Sequence, residues 1–159
     1  MNLVIVCVGK LREPFWRDAV REYQKRLTRL GGLEIVECPD LPEPKGASAT
    51  DMRRMLDAEG ASLLAKVKPR DHVIALCVEG KRMDSPTLAE RLRILEDGGI
   101  GRAVFLIGGS NGLSEEALSR ANERLSFSPM TFPHQLARVM LAEQLYRCRK
   151  ILAGEVYHK

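Results

Sequence analysis

The chain has 159 residues, 45% of them hydrophobic and 29% charged, with 25 Lys+Arg against 21 Asp+Glu and a formal charge of +4. This excludes a disordered chain, which combines low apolar content with unbalanced charge. It predicts a single domain, residues 1–159, that buries roughly two-thirds of its unfolded surface without disulfide or metal staples. Residues 120–159 hold seven Lys+Arg (Arg120, Arg124, Arg138, Arg147, Arg149, Lys150, Lys159) and three acids, while the remainder balances at 18 against 18. A basic end suits an anionic partner, RNA first among them, and equally a solvated helix face.

In chain order, continuous apolar runs at 3–8, 73–78 and 103–107, with a shorter one at 33–36, predict strands buried on both faces of a mostly parallel sheet. Between them run helical periods. Phe15, Trp16, Ala19, Val20, Tyr23, Leu27 and Leu30 recur at 3.6 spacing after Pro14, a residue favoured in a first helical turn. Ser48 precedes a second helix carrying Met52, Met55, Leu56, Leu63, Leu64 and Val67, with Gly60 as its weak point and Pro69 closing it. Ser85-Pro86 opens a third through Leu88, Leu92 and Leu95, stopped by Gly98-Gly99. Ser114 caps a short fourth that begins with Glu115-Glu116. The last helix follows Pro133 and runs to about Leu152, with Leu136, Val139, Met140, Leu145 and Tyr146 as its expected buried stripe. Alternating strands and helices make an α/β domain with a largely parallel sheet. Residues 38–47, with three prolines, read as a long loop.

Cys7, Cys38, Cys77 and Cys148 form no C-x-x-C pair, so neither a zinc site nor a disulfide framework is indicated, and no bound metal is expected. Cys7 and Cys77, inside apolar runs, read as small buried hydrophobes. Residues 1–8 lack a basic n-region and meet Gly9-Lys10 too soon for a signal peptide, and no stretch approaches the roughly 20 apolar residues of a membrane span. The expectation is a cytoplasmic protein with no membrane partner.

Four segments could carry chemistry. Residues 107–113, Ile-Gly-Gly-Ser-Asn-Gly-Leu, follow a predicted strand, where open α/β sheets place ligand loops. They match neither G-x-G-x-x-G nor a Walker A loop, so a pyrophosphate cradle is not supported. Residues 125–136, with two prolines among small polar and apolar residues, describe a stiff extended loop whose main chain suits a neutral heterocycle. His134, just inside the last helix, reads as a local structural residue. On that helix Glu143 and Arg147 form an i, i+4 pair. Arg138, five residues before Glu143, falls on another side. A carboxylate beside an apolar wall and an arginine suits an acid, a base or an orienter of one, and structural ion pairing fits as well. The tail, 154–159, ends in Tyr157-His158-Lys159: rings that can stack on a base, an imidazole that can move a proton, and a cation for a phosphate.

Five stretches, in order, closely resemble the RlmH family of bacterial large-subunit ribosomal RNA methyltransferases, of the SPOUT class. They are Val-Gly-Lys-Leu (8–11), the 107–113 loop, Leu-Ser-Phe-Ser-Pro-Met-Thr-Phe-Pro-His-Gln (125–135), Glu143-Gln144-Leu145-Tyr146-Arg147, and Tyr157-His158-Lys159. Cys148 departs from the small apolar residue expected there. The resemblance implies a SPOUT-type α/β knot over about residues 103–152. It implies S-adenosylmethionine held by Leu76, Gly108, Gly109, Phe127, Ser128, Pro129, Met130, Thr131 and Phe132. It further implies a homodimer that methylates N3 of a pseudouridine in 23S rRNA on the assembled ribosome. Glu143 or His158 would take the N3 proton, with Arg138 and Arg147 orienting substrate or stabilising charge, and Tyr157, His158 and Lys159 would hold RNA. A ribosome-associated RNA binder without catalysis, or a SPOUT enzyme for another rRNA or tRNA position, are the rival readings.

Overall fold

The computed structural model describes residues 1–159. Five strands, β1 (Asn2–Val8), β2 (Glu34–Cys38), β3 (His72–Arg82), β4 (Arg102–Ile107) and β5 (Glu123–Ser126), lie in one parallel sheet of order β2-β1-β4-β3-β5. Five helices, α1 (Pro14–Leu27), α2 (Ala49–Leu64), α3 (Ser85–Asp97), α4 (Glu115–Arg120) and α5 (His134–Leu152), flank it.

The strand pleat explains the uninterrupted apolar runs, because alternate side chains enter two different cores. Leu3, Ile5 and Cys7 of β1, with Phe105 and Ile107 of β4, face Leu27 of α1, Leu92 of α3 and Leu141 and Leu145 of α5. Val4, Val6 and Val8, with Val104 and Leu106, face Leu63 of α2 and Ala117 of α4. The helix starts follow their capping residues. Ser48 Oγ accepts from the Asp51 amide while the Asp51 carboxylate accepts from the Ser48 amide, a reciprocal cap for α2. Ser114 Oγ accepts from the Ala117 amide at 3.2 Å to open α4.

Gly60 is inside α2 because the helix crosses the start of α4 there: a Cβ at this position would come within 2.0 Å of Ser114 Oγ and 2.8 Å of Ser114 Cβ. Gly60→Ala is therefore expected to lose about 1–3 kcal/mol through overpacking and disturbance of the Ser114 cap, despite alanine's better helix propensity. Urea unfolding measures it; an unchanged or raised midpoint would contradict the packing argument.

Several boundaries differ from the sequence reading. β3 continues to Arg82 through the polar run Glu79-Gly80-Lys81-Arg82, which carries no apolar signal. β5 was hidden in the segment read as a loop from 125, since Glu-Arg-Leu-Ser is short and polar at its exposed end. Cys77 is half-buried, unlike Cys7, because its strand lifts away from the sheet just there. On α5 the buried face is Ala137, Arg138, Leu141, Ala142, Leu145, Tyr146 and Cys148. Leu136, Val139 and Met140 are only half-buried, one turn round the helix from the face that meets the sheet.

β3 and β5 pair unusually. Leu125 lies opposite Leu76 and again opposite Lys81, so residues 77–80 bulge around it. Gly80 passes so close that a Cβ would stand 2.4 Å from the Leu125 carbonyl carbon, which demands glycine. Because all strands are parallel, the loops after β1, β4 and β5 emerge at one edge of the sheet.

Candidate active site

Two loops at that edge are shaped by close main-chain approach. In the 107–113 loop, Gly109 and Gly112 form an isolated antiparallel bridge, and a Cβ on Gly108 would collide with the Gly112 carbonyl oxygen at 2.1 Å. Gly109 rests on Val8 and on the Glu59 carboxylate behind it. The loop after β5 is held by serines: Ser126 Oγ donates to the Ser128 carbonyl at 3.1 Å, and Ser128 Oγ accepts from the Met130 amide at 3.0 Å. No main-chain group of residues 127–132 bonds another main-chain group among the loop and turn hydrogen bonds. Apart from the Ser128 carbonyl and the Met130 amide, that leaves the loop's amides and carbonyls free for a planar heterocycle with donors and acceptors at its edge. Leu76, opposite Leu125 in the sheet, and Phe127 supply partly buried apolar surface beside them. The sequence-predicted set Leu76, Gly108, Gly109 and Phe127 to Phe132 is thus distributed over neighbouring loops and strands at one edge, and its chemistry fits an adenosine-bearing group.

Next to Phe127 opens a cleft of about 610 Å³, lined by Met83, Leu125, Phe127, Val139, Met140 and Glu143 among others, with His158 at its margin. Glu143 is the centre of the polar wall. Its Oε1 accepts from Arg147 Nε at 3.0 Å, from Arg147 Nη2 at 2.5 Å and from the Tyr157 hydroxyl at 3.2 Å. Its Oε2 accepts only from Gln144 Nε2, at 2.7 Å. Oε1 is saturated, so Oε2 is the oxygen with capacity for a further proton donor.

The tail folds back over this wall. The Arg147 guanidinium lies 4.7 Å from the Tyr157 ring centroid, and Tyr157 meets Tyr146 edge to face at 4.8 Å. Burial, with the Glu143 carboxylate beside it, pushes the Tyr157 phenol above its usual pKa, so it serves as a donor. Arg147 Nη1 approaches His158 Nδ1 at 3.4 Å. Arginine can only donate, so Nδ1 accepts and the neutral ring carries its proton on Nε2. Lys159 is exposed beyond it.

Glu143, Arg147, Tyr157 and His158 are therefore brought together, and Arg138 is not. Arg138, 1% exposed, donates to the carbonyls of Val8 at 3.2 Å and Gly9 at 2.9 Å and to Glu37 Oε2 at 2.8 Å, fastening α5 to the end of β1. Arg138→Met should cost about 2–4 kcal/mol, because two buried carbonyls lose their donor and Glu37, partly in water, loses its cationic partner and keeps only the Leu11 amide. Chemical denaturation tests this; a loss below about 0.5 kcal/mol, the scale of an ordinary surface substitution, would contradict it.

His134 sits beside Gly9 and Asp40, and burial together with Arg138 lowers its pKa, as for a neutral structural histidine. Cys148 is fully buried against the Ser85 carbonyl, and burial raises its thiol to about 12, so it is chemically inert. Two site residues were not legible beforehand: Gln144, whose Oε1 accepts from Ser85 Oγ at 2.6 Å, and Ser85 itself. Gln144 directly follows Glu143 in sequence, whereas Ser85 signalled only a helix start.

No helix is long and apolar enough to cross a membrane. Two solved structures share the fold at low identity. A probable methylase family protein from Haemophilus influenzae Rd KW20 matches with a TM-score of 0.57 and 12% identity, over 99% of this chain and 70% of that one. A probable methyltransferase from Bordetella pertussis Tohama I matches with a TM-score of 0.54 and 15% identity, over 93% and 95%. Over residues 1–158 the chain matches the family model described as predicted SPOUT methyltransferase. With the free main-chain loop, the glycine turn and the polar cleft on one sheet edge, this match settles the class: the chain belongs to the SPOUT methyltransferase family.

Proposed function

We propose that this methyltransferase acts on N3 of a pseudouridine in 23S rRNA of the assembled ribosome, as a homodimer. The observation that carries the reading is the Glu143 carboxylate at the cleft beside residues 127–132, with one oxygen saturated and the other available. When bound, S-adenosylmethionine supplies a methyl group on a sulfonium sulfur, which departs as a neutral thioether. Residues 127–132 would hold the heterocycle through main-chain groups, with Leu76 and Phe127 as its apolar neighbours and Gly108 and Gly109 leaving room for close backbone approach.

N3 of pseudouridine bears a proton between two carbonyls and is a poor nucleophile until that proton leaves. Glu143 Oε2 accepts it as the new N–C bond forms. His158 is the weaker candidate, since its Nδ1 faces Arg147 and its Nε2 is protonated in the neutral ring. Arg147 stabilises the negative charge that builds on the base, and Tyr157, His158 and Lys159 hold the RNA. Arg138 acts through the placement of α5. The half-buried Val139 and Met140 leave an open apolar wall on the cleft, which a two-fold partner would cover.

Titration calorimetry with S-adenosylmethionine separates this reading from a non-catalytic RNA binder. Saturable binding that is lost when residues 127–132 are replaced by a glycine-serine linker is the expected result; no heat of binding would overturn it.

A further inference from the structure

Outside the C-terminal region the charges balance in total, but not locally. Residues 10–29 carry seven cations (Lys10, Arg12, Arg17, Arg21, Lys25, Arg26, Arg29) against three acids. Arg26 pairs with Glu22 and Arg21 approaches Asp18, whereas the side chains of Lys10 and Arg12 have no partner and are exposed. Between these cations stands Phe15, 62% exposed, its ring 4.8 Å from the half-buried Trp16. Most of the Phe15 side chain is left in water, and its contact with Trp16 gives it a backing.

The segment is rigid. Arg17 Nη1 donates to the carbonyls of Leu11 at 3.3 Å and Arg12 at 2.9 Å, and Glu37 Oε2 accepts from the Leu11 amide at 3.2 Å. The same Glu37 oxygen accepts from Arg138, which also holds Val8 and Gly9. The start of α1 is thereby tied to the start of α5, directly after the loop at 127–132.

We propose that Lys10, Arg12, Phe15 and Arg17 form a second contact surface for the RNA substrate, apart from the Tyr157-His158-Lys159 tail. The cations meet backbone phosphates and Phe15 stacks on an unpaired base. This rests on the proposal that the substrate is RNA. Net charge favours RNA over a second copy of the chain: residues 10–29 carry seven cations against three acids, with Glu13 and Asp18 exposed among the cations of the patch.

The test uses the full-length protein labelled with fluorescein, assembled ribosomes as the RNA partner, and anisotropy titrations over a range of KCl. Phe15→Ala is expected to weaken binding roughly 5- to 100-fold with little change in the salt slope, while Phe15→Trp restores it. Lys10→Ala with Arg12→Ala should weaken binding and flatten the slope by about 1.5, the signature of two lost phosphate contacts. S-adenosylmethionine affinity and thermal midpoint should not move. Wild-type RNA affinity and slope in both variants would overturn the surface alone, and so would a change of oligomeric state in Phe15→Ala by sedimentation. No RNA binding by the wild-type protein would overturn the RNA substrate itself, and the surface with it.

Discussion

Glu143→Gln is expected to slow single-turnover methyl transfer by roughly 10²- to 10⁴-fold, the usual contribution of a positioned general base. Glutamine keeps the size of the side chain and can still present an oxygen to Arg147 and Tyr157, so the wall it forms should persist. What it loses is the carboxylate charge and the accepting Oε2, which takes a hydrogen bond only from Gln144, on a residue that lines the cleft. Cofactor affinity should stay within a few-fold, since the main-chain groups of residues 127–132 proposed to hold the cofactor are ones that Glu143 does not touch. His158→Ala, by contrast, should lower RNA affinity more than the rate at saturating RNA. If both variants keep near-normal rates with cofactor bound, the proton leaves by another route.

Removal of residues 154–159 is expected to reduce methyl transfer at least about 100-fold while changing cofactor affinity much less, a split that marks loss of substrate contacts rather than of fold. The tail is anchored: Tyr157 donates to Glu143 and packs on Tyr146 and Arg147, and Glu155 pairs with Lys150. Its loss removes His158 and Lys159, the residues proposed to hold RNA, and one of the three donors that saturate Oε1. Tyr157→Phe separates these effects, because it removes the hydroxyl alone and keeps the ring. A truncated protein that methylates at the wild-type rate would show that the tail serves neither RNA nor Glu143.

The strands of the sheet's middle were legible because each is buried on both faces, so β1, β4 and the first half of β3 read as unbroken apolar runs. The second half of β3 and all of β5 were not, because the bulge at 77–80 and the paired edge are made by glycine and polar residues whose placement is decided by Leu125, far away in sequence. On α5, period alone identified the apolar residues but misplaced the core-facing stripe. The helix has two apolar faces, one on the sheet and one on the cleft, and a fully buried arginine lies on the first. Arg138 illustrates the limit. Its position off the Glu143 side followed from helical geometry, but its partners Val8, Gly9 and Glu37 lie about 100 to 130 residues away in sequence, beyond any local pattern.

The site divides the same way. The Glu143–Arg147 pair and the serine-proline loop were visible as local motifs, and their fit to an RNA methyltransferase came from the ordered set of five stretches. The folding back of the tail onto Glu143 needed the structure, since a terminal Tyr-His-Lys reads by itself as frayed. So did the saturation of Oε1, which turns a generic acid-base candidate into one with a defined accepting oxygen.

The central claim is methyl transfer to a ribosomal pseudouridine. Its direct test is transfer from labelled S-adenosylmethionine to assembled ribosomes with and without pseudouridine at the modified position, with mass mapping of the product. Label on N3 of that pseudouridine in 23S rRNA, and much less on ribosomes carrying uridine there, is the result predicted. Label on tRNA, on another rRNA position, or on neither would contradict it.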